Sequence, residues 1–292
     1  MTWRMVIVNQ HSKLSYQNNA LVYKSKDEIE KIHLSEIHTI MIETTDVLIT
    51  SALVAKLIEY KIKLIFCDEK RLPTAELVAY YGSHDTSKRV EKQIHWDVNC
   101  QKIIWTEIIH QKIKNQALHL LSKGKVKEAE MLQNYLVNLL LYDESNREGH
   151  AAKVYFNALF GKDFARELEN DVNASLDYGY TLLLSIFSRE IVNNGCLTQL
   201  GLKHSNYFNQ FNLSSDLMEP FRPLVDKIVA DNKGVEFVKM KRKLLNLFSD
   251  TYLFEGKDMY LTNIVEIYVK KVLQALNQGD IKIPEFIFTW GK

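Results

Sequence analysis

Up to about Tyr81 the chain alternates apolar and polar positions in short β-branched runs: Arg4 to Val8, Lys13 to Gln17, Ala20 to Lys24, Lys31 to His33, Thr39 to Ile42 and Lys63 to Cys67. That period of two is the signature of sheet strands. Ser51 to Tyr60 departs from it, being apolar at helical spacing behind the capping candidate Thr50, and predicts one helix crossing the sheet. Gly82-Ser83-His84-Asp85-Thr86-Ser87 gathers turn formers, so residues 82–87 are expected to be a linker. Beyond it the apolar positions recur with helical period over Lys88 to Leu121, Lys125 to Leu140, Gly149 to Leu159, Val172 to Asn194, Phe221 to Ala230, Glu236 to Phe248 and Tyr260 to Asn277. The expected fold class is α+β, with a small β-rich N-terminal domain over residues 1–81 and a larger all-α domain over residues 88–292. No fixed-period repeat or low-complexity tract interrupts this plan.

A chain of 292 residues, 46% hydrophobic with only 11 Gly and 4 Pro, holds one large or two ordinary cores and is not disordered. Cys67, Cys100 and Cys196 are far apart, lack C-x-x-C spacing and leave one unpaired in any disulfide scheme, which points to a reducing compartment. The apolar N-terminal run turns polar too soon for a signal peptide, and no run approaches the ~20 residues of a membrane span. A cytoplasmic protein without membrane contact is expected.

The formal net charge of +1 excludes a global field that draws the protein onto nucleic acid, so such affinity must come from local clusters. Residues 88–127 hold one: Lys88, Arg89, Lys92, Lys102, Lys112, Lys114, Lys123, Lys125 and Lys127 against Glu91, Asp97 and Glu107. Lys239, Lys241, Arg242 and Lys243 form a second. Both are candidate phosphate-facing surfaces, although a solvated helix face is the ordinary account of such runs.

Candidate chemistry lies in three separate segments. Glu148 stands at a loop-to-helix entry, in Asn146-Arg147-Glu148-Gly149-His150-Ala151-Ala152, whose small residues admit close approach by another helix. His204 follows Gly201-Leu202-Lys203, and Asp216 and Glu219 are three apart before the rigid corner Pro220-Phe221-Arg222-Pro223. Carboxylate oxygens with one imidazole suit a hard divalent ion better than a closed thiolate zinc site, and so point to phosphodiester chemistry. Each residue also has an ordinary account. An acid is favoured at a helix N-terminus, Ser214 or Ser215 as N-cap would explain Asp216 and Glu219, and a lone loop histidine is usually a hydrogen-bonded surface residue.

Taken together, four stretches change that balance: Glu148 to Phe156, Asp171 to Tyr180, Gly201 to His204, and Asp216-Leu217-Met218-Glu219-Pro220-Phe221-Arg222-Pro223. Over essentially its full length the chain resembles the CRISPR spacer-acquisition integrases, the first protein of the Cas adaptation module, and looks most like the type II-A subtype. The resemblance implies that Glu148, His204 and Glu219 hold a catalytic Mg²⁺ or Mn²⁺, with Asp216 nearby as a possible second acid. Many relatives have Asp where this chain has Glu219. Asn173, Tyr180 and Arg222 are expected to line and brace the site. The implied reaction is transesterification, in which 3′-OH ends of captured double-stranded DNA attack the CRISPR leader-repeat DNA. The implied assembly is a homodimer formed through the β-rich domain, working with the second Cas adaptation protein. DNA contacts are expected from Lys88, Arg89, Lys92, Lys102, Lys239, Lys241, Arg242 and Lys243. Two rival readings remain: a non-catalytic helical DNA-binding scaffold, and a metal-dependent nuclease that uses water as the nucleophile.

Overall fold

A computed structural model describes residues 4–69, 71, 73–77, 79 and 84–288, and the chain divides into two compact units, Met1–Gly82 and Ser83–Lys292. In the first, β1 (Arg4–Val8), β2 (Ser12–Gln17), β3 (Ala20–Lys24), β4 (Ile29–His33), β5 (Ile37–Ile42) and β6 (Val47–Ile49) precede α1 (Ser51–Glu59), β7 (Lys63–Cys67) and β8 (Pro73–Leu77). They form two four-stranded sheets, ordered β1-β5-β7-β8 and β4-β3-β2-β6. β5 lies between two parallel neighbours and is buried at every residue, as a central parallel strand must be. β2 and β3 pair antiparallel across Asn18 and Asn19, whose φ values of 49° and 60° make the two-residue turn that suits the natural twist of a hairpin. Thr50 caps α1 by accepting from the Leu53 N–H, and Leu53 and Leu57 join Leu14, Leu21, Ile40 and Leu64 in one apolar core.

The second unit holds α2 (Thr86–Ile94), α3 (Val98–Ser122), α4 (Val126–Val137), α5 (Arg147–Phe160), α6 (Asp171–Asn193), α7 (Asn212–Leu217), α8 (Arg222–Asp231), α9 (Phe237–Leu245), β9 (Thr251–Phe254), β10 (Lys257–Tyr260) and α10 (Leu261–Gln278). Two long helices organise it. α3 packs against α4, α5, α8 and the short 3₁₀ turn Glu219–Phe221, while α6 packs against α8, α9 and α10. Gly179 lets α6 and α8 approach closely, since a Cβ there would lie 2.4 Å from a Val225 methyl.

The structure departs from the sequence expectations in several places. The helix expected over Lys88 to Leu121 is two helices, because Asp97 accepts from the Cys100 N–H and starts α3 afresh. Of the expected linker, Gly82 and Ser83 lie outside the described residues, and Thr86 and Ser87 open α2. The helical unit also carries one β-hairpin, β9–β10, turning through Glu255 and Gly256. No helix among the described residues is long and apolar enough to cross a membrane.

Candidate active site

The first turn of α5 carries Glu148, and Asp143 fixes that turn by accepting from the Arg147 N–H at 2.6 Å and the Glu148 N–H at 3.0 Å. These are two of the orphan donors of a helix N-terminus. The preceding loop turns sharply, with Tyr142, Asp143 and Asn146 in the left-handed region at φ 59°, 50° and 51°. Tyr142 ties it to the loop that bears His204: its hydroxyl donates to the Leu202 carbonyl at 3.1 Å, and Lys203 Nζ lies 3.7 Å from its ring centroid. Gly149 meets the Asn146 side chain, not a neighbouring helix, and it is buried Ala151 that is turned inward.

Asp216 lies inside α7 and is fully buried. Its Oδ2 accepts from the backbone N–H groups of Leu202 at 2.6 Å and Lys203 at 3.0 Å; its Oδ1 accepts from the His204 N–H at 3.3 Å and pairs with His204 Nδ1. Both oxygens are therefore committed to folding the loop and orienting the imidazole, a use that N-capping by Ser214 or Ser215 does not explain. Both serines are interior to α7, and Ser214 is bonded to Ser188. Gly201 is needed here, since a Cβ at that position would stand 2.4 Å from the His204 carbonyl and 2.8 Å from Asp216 Oδ2. The Asp216 hydrogen bond, outweighing burial and aided by the charges of Glu219 and Glu148, holds His204 above the ordinary histidine pKa. Commitment of Nδ1 leaves Nε2 as the ring atom open to a ligand, the arrangement in which a carboxylate orients a metal-binding histidine. Trp105 packs against the ring in a T-shaped pair, at 5.9 Å between centroids. Beside His204 opens a cleft of about 490 Å³, lined by amide side chains that include Gln101, Gln199 and Asn206, with exposed Tyr207 at its edge.

Glu219 begins the 3₁₀ turn between α7 and α8. Asn115 on α3 holds that turn by donating to the Pro220 carbonyl at 2.9 Å, and Phe286 stacks on Phe221 at 3.9 Å. Glu219 is 2% exposed, and Arg222 pairs with its Oε1 at 3.1 Å. A third charge closes the group. Lys112 Nζ lies 2.6 Å from Glu148 Oε1 and 2.6 Å from Glu219 Oε2. Burial pushes the Glu148 carboxyl up, but Lys112, Arg222 and His204 outweigh it and hold the group below the usual carboxylate range. Burial likewise opposes the charge on Lys112, and the two glutamates overcome it.

As placed, no three His, Cys, Asp or Glu side chains among the described residues stand close enough to hold a metal ion. Glu148 and Glu219 converge on a lysine, and His204 lies within their electrostatic range but is paired to Asp216. The donor set nonetheless fits a hard divalent cation. Two carboxylate oxygens already bracket one positive atom, and Glu219 Oε2 accepts no hydrogen bond beyond that ion pair.

Of the residues expected to brace the site, Arg222 pairs with Glu219 and lies over the Tyr180 ring at 4.8 Å, and the Tyr180 hydroxyl donates to buried Asp226, whereas Asn173 fastens the preceding loop, accepting from Arg166 at 2.8 Å and donating to the Ala165 and Leu168 carbonyls. Of the basic candidates, Lys88, Lys92, Lys239, Arg242 and Lys243 are exposed. Arg89 is partly exposed and pairs with Asp85 at 2.7 Å, and Lys102, also partly exposed, lies 5.8 Å from the Tyr142 ring. Lys241 does not belong on a phosphate-facing surface: it is 7% exposed, with its ammonium over the rings of Tyr178 and Phe237. Lys112, counted in the first basic cluster, is likewise an internal charge. Sequence reasoning also missed Asp143 and Asn115. Asn115 was legible in part, because Ile108, Lys112, Asn115 and His119 share one helix face at i, i+4, i+7 and i+11, a run of polar groups on a side that the neighbouring apolar residues mark as inward.

A family profile described as CRISPR associated protein Cas1 matches residues 5–234. The CRISPR-associated endonuclease Cas1 of Neisseria meningitidis serogroup C (strain 8013) is 37% identical over 229 residues, covering 78% of this chain and 75% of the relative. Among solved structures, a casposase bound to integration product superposes with a TM-score of 0.76 at 18% identity, covering 98% of this chain and 94% of that one. A Cas6-RT-Cas1–Cas2 complex gives a TM-score of 0.73 at 19% identity, covering 97% of this chain and 36% of the larger one.

Proposed function

Because the chain belongs to the Cas1 family of CRISPR-associated proteins, we propose that it is a divalent-metal-dependent DNA integrase of CRISPR adaptation, joining 3′-OH ends of captured duplex DNA to repeat DNA by transesterification. The observation that carries this reading is the convergence of Glu148 and Glu219, from two distant segments, on a single cationic atom within electrostatic range of an imidazole oriented by Asp216. Bound there, Mg²⁺ or Mn²⁺ would supply charge stabilisation to the transition state and acidify the attacking hydroxyl.

The protein's own residues do the rest. Glu148, Glu219 and His204 Nε2 present the ligands, Asp143 fixes the helix turn that carries Glu148, Asp216 orients the imidazole, and Arg222 pairs with Glu219 Oε1. The cleft beside His204 offers amides and an exposed tyrosine ring, which suit an unpaired DNA end. One phosphodiester replaces another, so no external energy is needed. Joining two strands calls for two sites, which supports a homodimer acting with the second adaptation protein; the likeness to a Cas1–Cas2 complex agrees with that partner.

Hydrolysis at the same site is the second reading, favoured by relatives that are named endonucleases. A purified assay separates the two. With Mn²⁺, the partner protein, a supercoiled target carrying leader and repeat, and duplex DNA with 3′-OH ends, integration yields covalently joined strands, and Glu148→Gln or Glu219→Gln abolishes them while DNA binding persists. Free ends alone would mean hydrolysis. Full activity in those variants would take both carboxylates out of the chemistry and favour the DNA-binding scaffold.

A further inference from the structure

The place between Glu148 and Glu219 that a divalent ion would take is filled by a side chain of the protein itself. Lys112 sits on α3, a helix buried along most of its central turns, and is itself 7% exposed. Its ammonium is 2.6 Å from each carboxylate, one on α5 and one in the turn after α7. We propose that Lys112 is the resident cation of the active site, neutralising Glu148 and Glu219 until a divalent ion displaces it, so that metal loading is an exchange and not an addition. The inference rests on the metal-site reading above.

Electrostatics requires some cation at this point. Two carboxylates brought together in a buried site repel strongly, and removing their partner leaves buried charge uncompensated. The same attraction that holds the ammonium there excludes a metal ion from its place, because two cations cannot share one position. The exchange asks little of the backbone. Gln111 and Asn115 on either side of Lys112 are fastened to the chain near its C-terminus: Gln111 accepts from the Phe286 N–H at 3.0 Å, and Asn115 accepts from the Phe288 N–H at 2.8 Å and donates to the Phe286 carbonyl at 2.9 Å. α3 is pinned, and only the flexible four-carbon stem of the lysine has to swing.

Charge balance gives the exchange a purpose. With His204 neutral, as a metal-binding imidazole must be, Glu148, Glu219 and Asp216 against Lys112 and Arg222 leave the group one negative charge, which repels a phosphodiester. Entry of a divalent ion with the lysine kept nearby reverses the sign and matches the single charge of the DNA linkage.

Mn²⁺ binding to the DNA-free full-length protein tests this, measured by electron paramagnetic resonance for the wild type, Lys112→Met, Lys112→Gln and Glu148→Gln. Removal of the competing ammonium is expected to tighten Mn²⁺ binding by about tenfold or more in both Lys112 variants, with Glu148→Gln losing it. Thermal unfolding supplies a second readout: the Lys112 variants should melt below the wild type in chelator and gain more than the wild type on adding Mn²⁺. A purely structural lysine would lower the melting temperature equally with and without the ion. Mn²⁺ affinity that is unchanged or weaker in both Lys112 variants, while still depending on Glu148, would overturn this inference and leave the metal site standing. Absence of specific Mn²⁺ binding in every protein would overturn both.

Discussion

Asp226 shows how burial sets charge next to the site. It is 1% exposed, and burial pushes its carboxyl from 3.8 to about 6 against the hydrogen bonds of Tyr180 and Tyr155 and the nearby Arg222 charge. A folded-state value above the unfolded one means that the fold binds this proton more tightly. The contribution of Asp226 to stability is therefore full below about pH 4 and is lost as the pH rises through 6. Urea unfolding of wild type and Asp226→Asn between pH 4 and 8 should show the wild type losing on the order of 3 kcal/mol relative to the variant across that window. A difference that stays flat with pH would contradict it. His119 behaves oppositely, being held neutral by burial at about 3 while its ring bonds the Tyr155 hydroxyl at 2.7 Å. Gly201 supplies a second test. Its replacement by Ala forces a methyl against the His204 carbonyl, which should cost ~1–3 kcal/mol and weaken Mn²⁺ binding by displacing the imidazole; an unperturbed variant would show that the loop has room. Glu148, His204, Asp216 and Glu219 stood out as candidates because their motifs stand together in one order. The roles of Asp216 and Lys112 were not, since a carboxylate that orients and a lysine that neutralises look in sequence like a ligand and a surface charge.

At the level of elements, the parts that bury one face regularly were the legible ones. β1, β3 and β7 run between the residues that the alternation marks, and α5, α6 and α10 fall within two residues of the helical period at each end. What escaped was set by chemistry that periodicity does not carry. Asp97 interrupts a continuous apolar pattern by capping α3. β6 has three residues and β8 begins at Pro73, so neither shows a full alternation. The β9–β10 hairpin turns on Glu255-Gly256, with φ of 48° and 79°, a left-handed pair without the Asn-Gly wording that usually announces it. α5 offers the element-scale prediction. Asp143→Ala removes the acceptor for two N-terminal N–H groups and should destabilise the protein by ~1–2 kcal/mol. Because Glu148 rides on that turn, strand joining should fall more than DNA binding does. Equal losses in both would mean that the cap matters only for folding.

Over the whole molecule a net charge of +1 leaves DNA affinity to clusters, and the α9 cluster is the more exposed now that Lys241 is removed from it. Replacing Lys239, Arg242 and Lys243 with Gln should weaken binding to any DNA sequence alike and make the slope of log affinity against log salt shallower by up to about 3. An unchanged slope would place the DNA on another face. The ion pair of Lys239 with Glu236 at 3.3 Å, exposed on both sides, offers little resistance to such contacts. The division into a β-rich and a helical unit was legible from the change of period near residue 82, whereas the approach of Glu148 and Glu219 to Lys112 was not, because the three meet only through the packing of α3, α5 and the α7–α8 turn. Anomalous scattering from crystals of the full chain grown with Mn²⁺ tests that assembly most directly. A peak within ligand distance of Glu148, Glu219 and His204 Nε2, with Lys112 Nζ moved out from between the carboxylates, is the result expected; Lys112 still seated there and no peak at the three side chains would contradict it.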